Sequence, residues 1–492
     1  MKKKNLLVLP GILCSVLLFS LTSTISIKAE EGETIVVGSD GINTISEALE
    51  DANDGDTIKI PAGTYNEQLC ITKSITIDAE EGAVLDGGDV KLKADYNDID
   101  KKYKNISGID EDEKLTCSHS MVSICASGVK VEGLEITKLK FKGPSKAIAP
   151  IGIYVAPDSD DVTIEDCEVH DMGLTGYPDR SPDYNAHGIL AKGKPGNAIE
   201  GLTIKSCTLY NLILGNSEAL VVNGNVGNFD IINNTVYNCD NIGIDAIGYE
   251  QFDPNNEEYK KLSSDEKHKL EEADRAHNGK IHGNTVKNIS SAKNRTYNDE
   301  RDRSDTCAAG IYVDGGKEID VYENYVSNCD IGIEVASEHH HKAANNINVY
   351  HNTLVENNNL AGIILGGSEV DKNGEALNCH FYNNTVYNTN NSCLEIQFAH
   401  SDSNVFDHNL FIAKNKADIY NESNGNKSTG NTISDNLSNE EIDEDDYPKV
   451  KKANNTFKLK KVSCSDDILY IESSTSLDGY GSNYRTNVKV SK

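Results

Sequence analysis

A short motif, in which an apolar strand runs into an asparagine, recurs through the middle of the chain. Residues Ile231 to Asn238 read IINNTVYN, and similar runs follow at irregular intervals. Self-similarity with a period of roughly 20–50 residues is typical of solenoid architectures. If the repeats stack as coils, the asparagine amides form a ladder in which each side chain donates to the next coil. The residues in this register are Asn234, Asn284, Asn324, Asn352, Asn384 and Asn409.

A second strand follows in the repeats and alternates between apolar and other residues. Gly310 begins GIYVD and Gly332 begins GIEVA, 22 residues apart (332 − 310). Strict alternation is the signature of a half-buried β-strand. We expect these residues to point inward: Ile244, Ala246, Ile311, Val313, Ile333, Val335, Ile363, Leu365, Leu394 and Ile396. We expect these to point outward: Asp245, Tyr312, Asp314, Glu334, Ile364, Glu395 and Gln397.

The N-terminus is typical of a bacterial secretory signal peptide. Lys2 to Lys4 form a basic region, Leu6 to Leu21 is largely apolar, and Ala29 ends a cleavage site. The apolar run is too short and too broken to favour a membrane anchor. The residue before Cys14 is not small, so we expect secretion rather than lipidation. The predicted division is a signal peptide at 1–29, a repeat domain at 30–436, and an acidic C-terminal segment and cap at 437–492.

The chain also carries segments that interrupt the repeat. Gly41 to Leu49 has apolar residues at helical spacing and predicts a helix that caps the first coil. Ser263 and Glu266 form a capping-box pattern before a predicted helix at Ser264 to Ala273. That helix belongs to an insertion at 249–278, and two more insertions lie at 172–187 and 290–306. We expect all three beside the outward face of the second strands.

The composition limits the partners. The formal net charge is −31, which makes nucleic acid and anionic membranes poor partners. Of the 12 cysteines, Cys14 lies in the signal peptide and the spacing of the others matches no zinc motif. Disulfide pairing and buried free thiols both remain open for them. Cys167 and Cys207 occupy the asparagine register of two earlier coils and are predicted to stack.

An acidic cluster on the outward face is the main candidate site. It consists of Asp245, Asp314, Asp330, Glu334, Glu338 and Glu395. Stacked carboxylates repel one another, and two chemistries can hold them together. One is a bound Ca²⁺, for which Asp245, Asp314, Asp330 and Glu334 are the predicted ligands. The other is a general acid paired with a carboxylate nucleophile, while a merely solvated acidic surface is the third interpretation.

The stacked coils and this cluster resemble the pectate-lyase-like right-handed parallel β-helix proteins, nearest the family-nine polysaccharide lyases. The resemblance rests on two motifs, Asp330-Ile331-Gly332-Ile333-Glu334 and Gly362-Ile363-Ile364-Leu365-Gly366-Gly367. The resemblance implies an all-β, single-stranded right-handed parallel β-helix with an N-terminal capping helix and surface loop insertions. It also implies a calcium-dependent lyase. This chain departs from the family at Ile364, where the family has its catalytic lysine.

A lyase needs a base and positive charge to stabilise the enolate that forms. With isoleucine at 364, the candidates are Lys317, Lys192, Arg303 and His339. The leading prediction is a secreted, calcium-dependent polysaccharide lyase acting on a uronate-containing extracellular glycan. The alternatives are a glycoside hydrolase that uses Asp314 with Glu334 or Glu338, and a glycan-binding protein without catalysis.

Overall fold

The computed structural model describes residues 32–90, 119–142, 149–176, 184–251, 257–297, 306–357, 360–369, 371–397, 401–413, 419–421, 430–438, 460–463 and 469–472. All of these belong to the unit Gly32–Lys492. The predicted signal peptide and Arg303 lie outside the described residues. None of the helices within these ranges is long and apolar enough to cross a lipid bilayer.

The described residues build a parallel β-helix in which each coil contributes one strand to each of three sheets. Sheet one contains Thr34–Val36, Thr57–Ile60, Thr76–Ala79, Lys130–Glu132, Thr163–Glu165, Thr203–Lys205, Asp230–Ile232, Lys280–His282, Asp320–Tyr322, Asn348–Tyr350, His380–Tyr382, Val405–Asp407 and Thr432–Ile433. Sheet two contains Gly63–Tyr65, Ala83–Asp86, Glu135–Thr137, Glu168–His170, Thr208–Tyr210, Thr235–Tyr237, Thr285–Lys287, Tyr325–Ser327, Thr353–Val355, Thr385–Thr389, Leu410–Ala413 and Leu437–Ser438. Sheet three contains Leu69–Ile71, Ser120–Ile124, Ile151–Val155, His187–Gly193, Leu220–Gly224, Ile244–Ile247, Ala309–Asp314, Ile331–Ala336, Ala361–Leu365, Ser392–Ile396 and Ile419–Asn421.

Short strand pairs complete the β structure. Three pairs are parallel: Lys140–Lys142 with Gly173–Thr175, Ile199–Glu200 with Val226–Gly227, and Ala343–Asn345 with Glu375–Leu377. One pair, Lys460–Ser463 with Leu469–Glu472, is antiparallel. Within the described ranges the helices are Ile45–Asp51, Glu257–Lys261 and Ser264–Ala273, and Ser291–Lys293 is a 3₁₀ turn.

The corner between sheets one and two explains the asparagine motif. It has two residues, of which the first takes a left-handed conformation, as at Asn233 with φ of 56°. The second is the ladder asparagine, whose side-chain amide forms hydrogen bonds to the coils on both sides. Asn284, for example, donates from Nδ2 to Ile231 O at 2.9 Å and to Asn324 Oδ1 at 3.0 Å. The predicted ladder is confirmed, and it extends to Asn436.

The glycine that opens many sheet-three strands is required by close stacking. A Cβ on Gly332 would lie 2.3 Å from Gly362 O in the next coil. A Cβ on Gly243 would lie 2.6 Å from Gly310 O in the same way. Any larger residue at these positions would therefore push two coils apart, which accounts for the recurring glycine before the apolar residue.

The core runs along the inside of the coil. All ten residues predicted to point inward on sheet three are fully buried there. The first open end is covered by the helix Ile45–Asp51, which buries Ile45 and Ala48 and has a Thr44–Glu47 capping box. The nine cysteines in the described ranges are free thiols, so no disulfide joins any two of them. Cys167 and Cys207 do stack, and their contact together with burial raises the pKa of the Cys207 thiol.

The helical insertion at Glu257 to Ala273 is tied to the coils through Arg275. Its Nε donates to Gly315 O at 2.8 Å and its Nη2 to Ala343 O at 2.8 Å. The guanidinium also lies 4.8 Å from the ring centroid of Tyr249. The predicted helix Ser264–Ala273 with its Ser263–Glu266 capping box is confirmed.

Candidate functional site

Three of the predicted acids come together on sheet three because of strand register. Asp245 pairs with Tyr312, and Tyr312 pairs with Glu334, in three successive strands. Asp314 lies two residues beyond Tyr312 on the same face. A diagonal of two residue rises and one strand spacing puts its Cα about 8 Å from those of both Asp245 and Glu334. The buried Tyr312 thus lies at the centre of a group of carboxylates.

This face is more enclosed than its sequence suggests. Outward side chains of a solenoid are expected to meet solvent, yet Asp245 is 1% exposed and Ile364 is 0% exposed. Tyr312, Ile331 and Ile364 pack with three alanines in an apolar cluster on the outside of the sheet. The predicted open face is therefore wrong for these positions. Burial of the carboxylates changes their chemistry.

Burial and mutual repulsion favour the protonated form of these carboxyl groups. The pKa of Asp245 is raised well above its usual range, by burial first and then by Glu218 and Asp314. The pKa of Asp314 is raised by burial and by Glu338. Asp245 Oδ1 is buried and has no hydrogen-bond partner within the described residues. A buried carboxylate oxygen without a partner is costly, so this atom calls for a proton, a ligand or a cation.

Glu334 and Glu338 form the accessible side of the group. Burial and the Glu338 charge raise the pKa of Glu334 to about 8. Desolvation by the surrounding protein and the negative charge of Glu250 raise the pKa of Glu338 to about 7, although part of its side chain reaches solvent. The backbone of Glu338 is fixed because its N–H donates to Asp314 Oδ1 at 2.7 Å. We call Glu218, Asp245, Asp314, Glu334 and Glu338 the acidic group.

Glu218 and Glu250 were not predicted from the sequence, and His187 was predicted only as the end of the insertion at 172–187. Burial and the neighbouring Glu250 and Glu338 raise the pKa of Glu218 well above its usual range. His187 Nδ1 lies 3.5 Å from Glu218 Oε2 without hydrogen-bonding geometry. Burial lowers the pKa of His187 to about 3, so the imidazole is neutral. Glu218 and Glu250 lie just outside the strands Leu220–Gly224 and Ile244–Ile247, so the alternation along those strands did not include them.

Other predicted residues have different surroundings. Asp330 Oδ2 accepts the backbone N–H groups of Ser291 at 2.8 Å and Ala308 at 3.1 Å, which anchors the loop before the strand Ala309–Asp314. Lys317 Nζ lies 3.6 Å from Glu272 Oε2 on the helical insertion. Both residues thus have clear structural tasks.

Glu395 and His339 lie closer to the predicted face. Glu395 is buried two strands from Glu334, with Ile364 between them, and accepts a bond from Gln397 Nε2 at 3.2 Å. His339 follows Glu338 directly. Its Nε2 is buried without a partner within the described residues, and burial lowers its pKa.

The acidic group meets only part of what a calcium site requires. Its oxygens are of the type that Ca²⁺ prefers, and Asp245 Oδ1 lacks a partner. Within the described ranges, however, the residues that bring three ligand atoms within 4.8 Å of one another are Glu132, Glu165 and Asp166 on sheet one. There, Lys130 and Lys205 pair with Glu165. The four predicted ligands do not converge in this way, so calcium would need side-chain movement to bind among them.

The raised pKa values predict that stability falls as the pH rises. Between the ordinary glutamate pKa of about 4.3 and the folded-state value near 8 for Glu334, the folded chain binds more protons than the unfolded chain. Stability therefore decreases with pH in that window. We expect a lower urea midpoint at pH 9 than at pH 5 in chelator, and a smaller difference in the Glu334→Gln, Glu338→Gln variant. An equal pH difference in both proteins would contradict the assignment.

Comparison with known proteins places the chain in a family. Residues 127–376 match the family described as "Right handed beta helix region". The uncharacterized protein YwoF of Bacillus subtilis (strain 168) is 30% identical over 463 residues, which cover 90% of this chain and 88% of that protein. The GH136 lacto-N-biosidase from Eubacterium ramulus superposes with a TM-score of 0.53 at 13% identity, over 84% of this chain and 68% of that one. Pectate lyase Pel9A superposes with a TM-score of 0.42 at 12% identity, over 82% of this chain and 79% of that one. The chain belongs to the right-handed β-helix family.

Proposed function

We propose that this protein is a secreted enzyme that hydrolyses glycosidic bonds in a polysaccharide, with Glu334 as the general acid and Glu338 as its carboxylate partner. The observation that carries the proposal is the pairing of half-buried Glu334, whose pKa is raised to about 8, with the neighbouring exposed Glu338, whose pKa is raised to about 7. Two carboxyl groups in different environments are what glycoside hydrolysis needs. The lacto-N-biosidase, which shares the fold, supports a glycan substrate.

The side chains divide the work according to their surroundings. Glu334 is protonated at neutral pH, and it can give its proton to the leaving glycosidic oxygen. Glu338 ionises more readily in contact with solvent, and it can stabilise the oxocarbenium-like transition state or activate water. Asp314 accepts the Glu338 N–H and so acts as a positioning residue.

Product analysis on pectate, alginate and neutral xylan tests the proposal. Hydrolysis releases reducing sugar without new ultraviolet absorbance, whereas β-elimination creates an unsaturated uronate that absorbs. Reducing ends without absorbance are the expected result. Release of an absorbing product would overturn hydrolysis, and binding without any product would leave a glycan-binding protein.

A calcium-dependent lyase is the second candidate, favoured by the unpartnered Asp245 Oδ1. Asp245, Asp314 and Glu334 would hold the ion, which would neutralise a uronate carboxylate. Against this candidate, Ile364 is fully buried in an apolar cluster and can accept no proton, so His339 would be the base. The family's lysine position therefore supplies no base in this chain.

Chelation separates the two candidates. We expect cleavage to continue in excess EDTA, because Glu334 and Glu338 need no metal for acid–base chemistry. The measurement is the initial rate of reducing-sugar release before and after dialysis against EDTA, and again after adding Ca²⁺. Loss of cleavage that Ca²⁺ alone restores would favour the lyase.

A further inference from the structure

A cleft of about 750 Å³ lies beside the beginning of several sheet-three strands. Its walls come from the turns that join sheet two to sheet three, at Asp171, Asn211, Asn238 and Asn288 in four successive coils. Four coils span about 14 Å along the axis at about 4.8 Å per coil. The volume is typical of sites that bind small ligands. Glu218 of the acidic group lies in one of the same connections between sheets two and three.

Three cationic side chains line this cleft in a strongly acidic protein. They are Lys140, Lys293 and Arg295, and all three are exposed. Neither Lys140 nor Lys293 forms an ion pair with any residue that the structure describes. With a formal net charge of −31, a gathering of cations favours anionic groups at this one position.

The loop that carries two of these cations is anchored by buried hydrogen bonds. Buried Asn294 donates from Nδ2 to Gly215 O at 2.6 Å and to Asp240 O at 2.9 Å. Buried Ser291 donates its N–H to Asp330 Oδ2 at 2.8 Å. The two anchors alternate with exposed Lys293 and Arg295, so the backbone that carries these cations is already fixed before a ligand binds.

The acids of the cleft are already engaged. Asp171 bonds His170 Nδ1 at 2.8 Å and Asn211 Nδ2 at 3.1 Å. Asp240 Oδ1 accepts the N–H of Leu214 at 2.7 Å. The His170 hydrogen bond and the charge of Lys140 lower the pKa of Asp171, so this carboxylate stays charged. The three cations still outnumber the two carboxylates of the cleft, and the remaining lone pairs suit sugar hydroxyls.

An exposed apolar side chain lies in the same cleft. Ile213 and Tyr297 are the exposed large apolar side chains within the described ranges, at 38% and 40%. Ile213 lines the cleft, whereas Tyr297 lies outside its lining and donates from its hydroxyl to Asn216 Oδ1 at 3.3 Å. Apolar surface among charged and amide groups suits a sugar ring, which has apolar C–H faces and a polar rim.

We propose that this cleft binds a carboxylate-bearing sugar unit of the glycan, with Lys293 and Lys140 facing the carboxylate. The inference rests on the proposed function, because it assigns that enzyme's substrate to the acidic polysaccharides. It names a subsite outside the acidic group, so it concerns recognition rather than bond cleavage.

The test is calorimetric titration of the full-length Glu334→Gln protein, which removes the proposed acid. Trigalacturonate is the acidic probe and xylotriose the neutral one. Adding Lys293→Glu is expected to weaken trigalacturonate binding about tenfold and to leave xylotriose unaffected. The matched control is Lys280→Glu, an exposed lysine on sheet one, which makes the same charge change and should alter binding less than twofold.

Equal loss in the Lys293→Glu and Lys280→Glu proteins would show a general charge effect and would overturn the proposal. Undiminished trigalacturonate binding in both the Lys293→Glu and the Lys140→Glu proteins would also overturn it. Failure of the proposed function shows differently, as unchanged turnover in Glu334→Gln. The two ideas can therefore fail separately.

Discussion

Glycan cleavage is expected to fall about 10²–10⁴-fold in the Glu334→Gln variant, the range that a positioned general acid contributes. Glutamine keeps the shape and the half-buried position, but it has no acidic proton to give to the leaving oxygen. Initial rates on the substrate identified by product analysis measure the effect. Because Glu334 sits on the strand Ile331–Ala336, far-ultraviolet circular dichroism should match that of the parent protein.

Two companions make this result specific. Glu318→Gln, on an exposed turn, changes the charge equally and should retain full activity. Asp314→Asn keeps an oxygen that can still accept the Glu338 N–H, so a smaller loss than in Glu334→Gln is expected. Full turnover in Glu334→Gln would show that the acidic group is not the catalytic centre.

Asn324→Ala is expected to cost about 3–5 kcal/mol of unfolding free energy, because each buried group left without a partner costs about 1–3 kcal/mol. The Asn324 side chain donates to Ile281 O at 2.9 Å and to Asn352 Oδ1 at 2.9 Å. Its Oδ1 accepts from the Asn284 backbone N–H and from Asn284 Nδ2, both at 3.0 Å. Alanine removes these four bonds from buried groups in the two neighbouring coils.

Urea unfolding followed by circular dichroism measures this loss. Asn348→Ala is the control, since Asn348 donates to Asp320 Oδ1 at 2.8 Å on the half-buried outer surface, where water can replace the bond. A loss below about 1 kcal/mol is expected for the control. Similar losses in both variants would mean that the ladder bonds have no special weight in holding the coils.

The fold was predictable because its cause is local and repeated. Asn234 and Asn284 mark a two-residue corner, and Ile311 with Val313 marks the inner face of a strand, whatever the distant parts of the chain do. Periodicity in sequence becomes periodicity in space when coils stack. The Ser264–Ala273 helix was predictable for the same cause, since its capping box lies within four residues.

The candidate site was predictable only in part. Asp245, Asp314 and Glu334 followed from alternation along strands, but their burial did not, because it depends on packing outside the coil. Asp330 looked equivalent to them in sequence, yet its carboxylate accepts two backbone N–H groups of a loop. Glu218 and Glu250 lie just outside the strands, and only the tertiary structure brings them close to Glu338.

The sequence by itself determined the coil, its inner face and the acids on its outer face, because neighbouring residues set strand, corner and alternation. Only the tertiary structure decided which acids have raised pKa values, since a pKa depends on burial and on charges brought close by distant segments. The cleft with Lys140 and Lys293 shows the same division. These lysines are 153 residues apart (293 − 140) in sequence, and the stacking of coils brings them to one cavity.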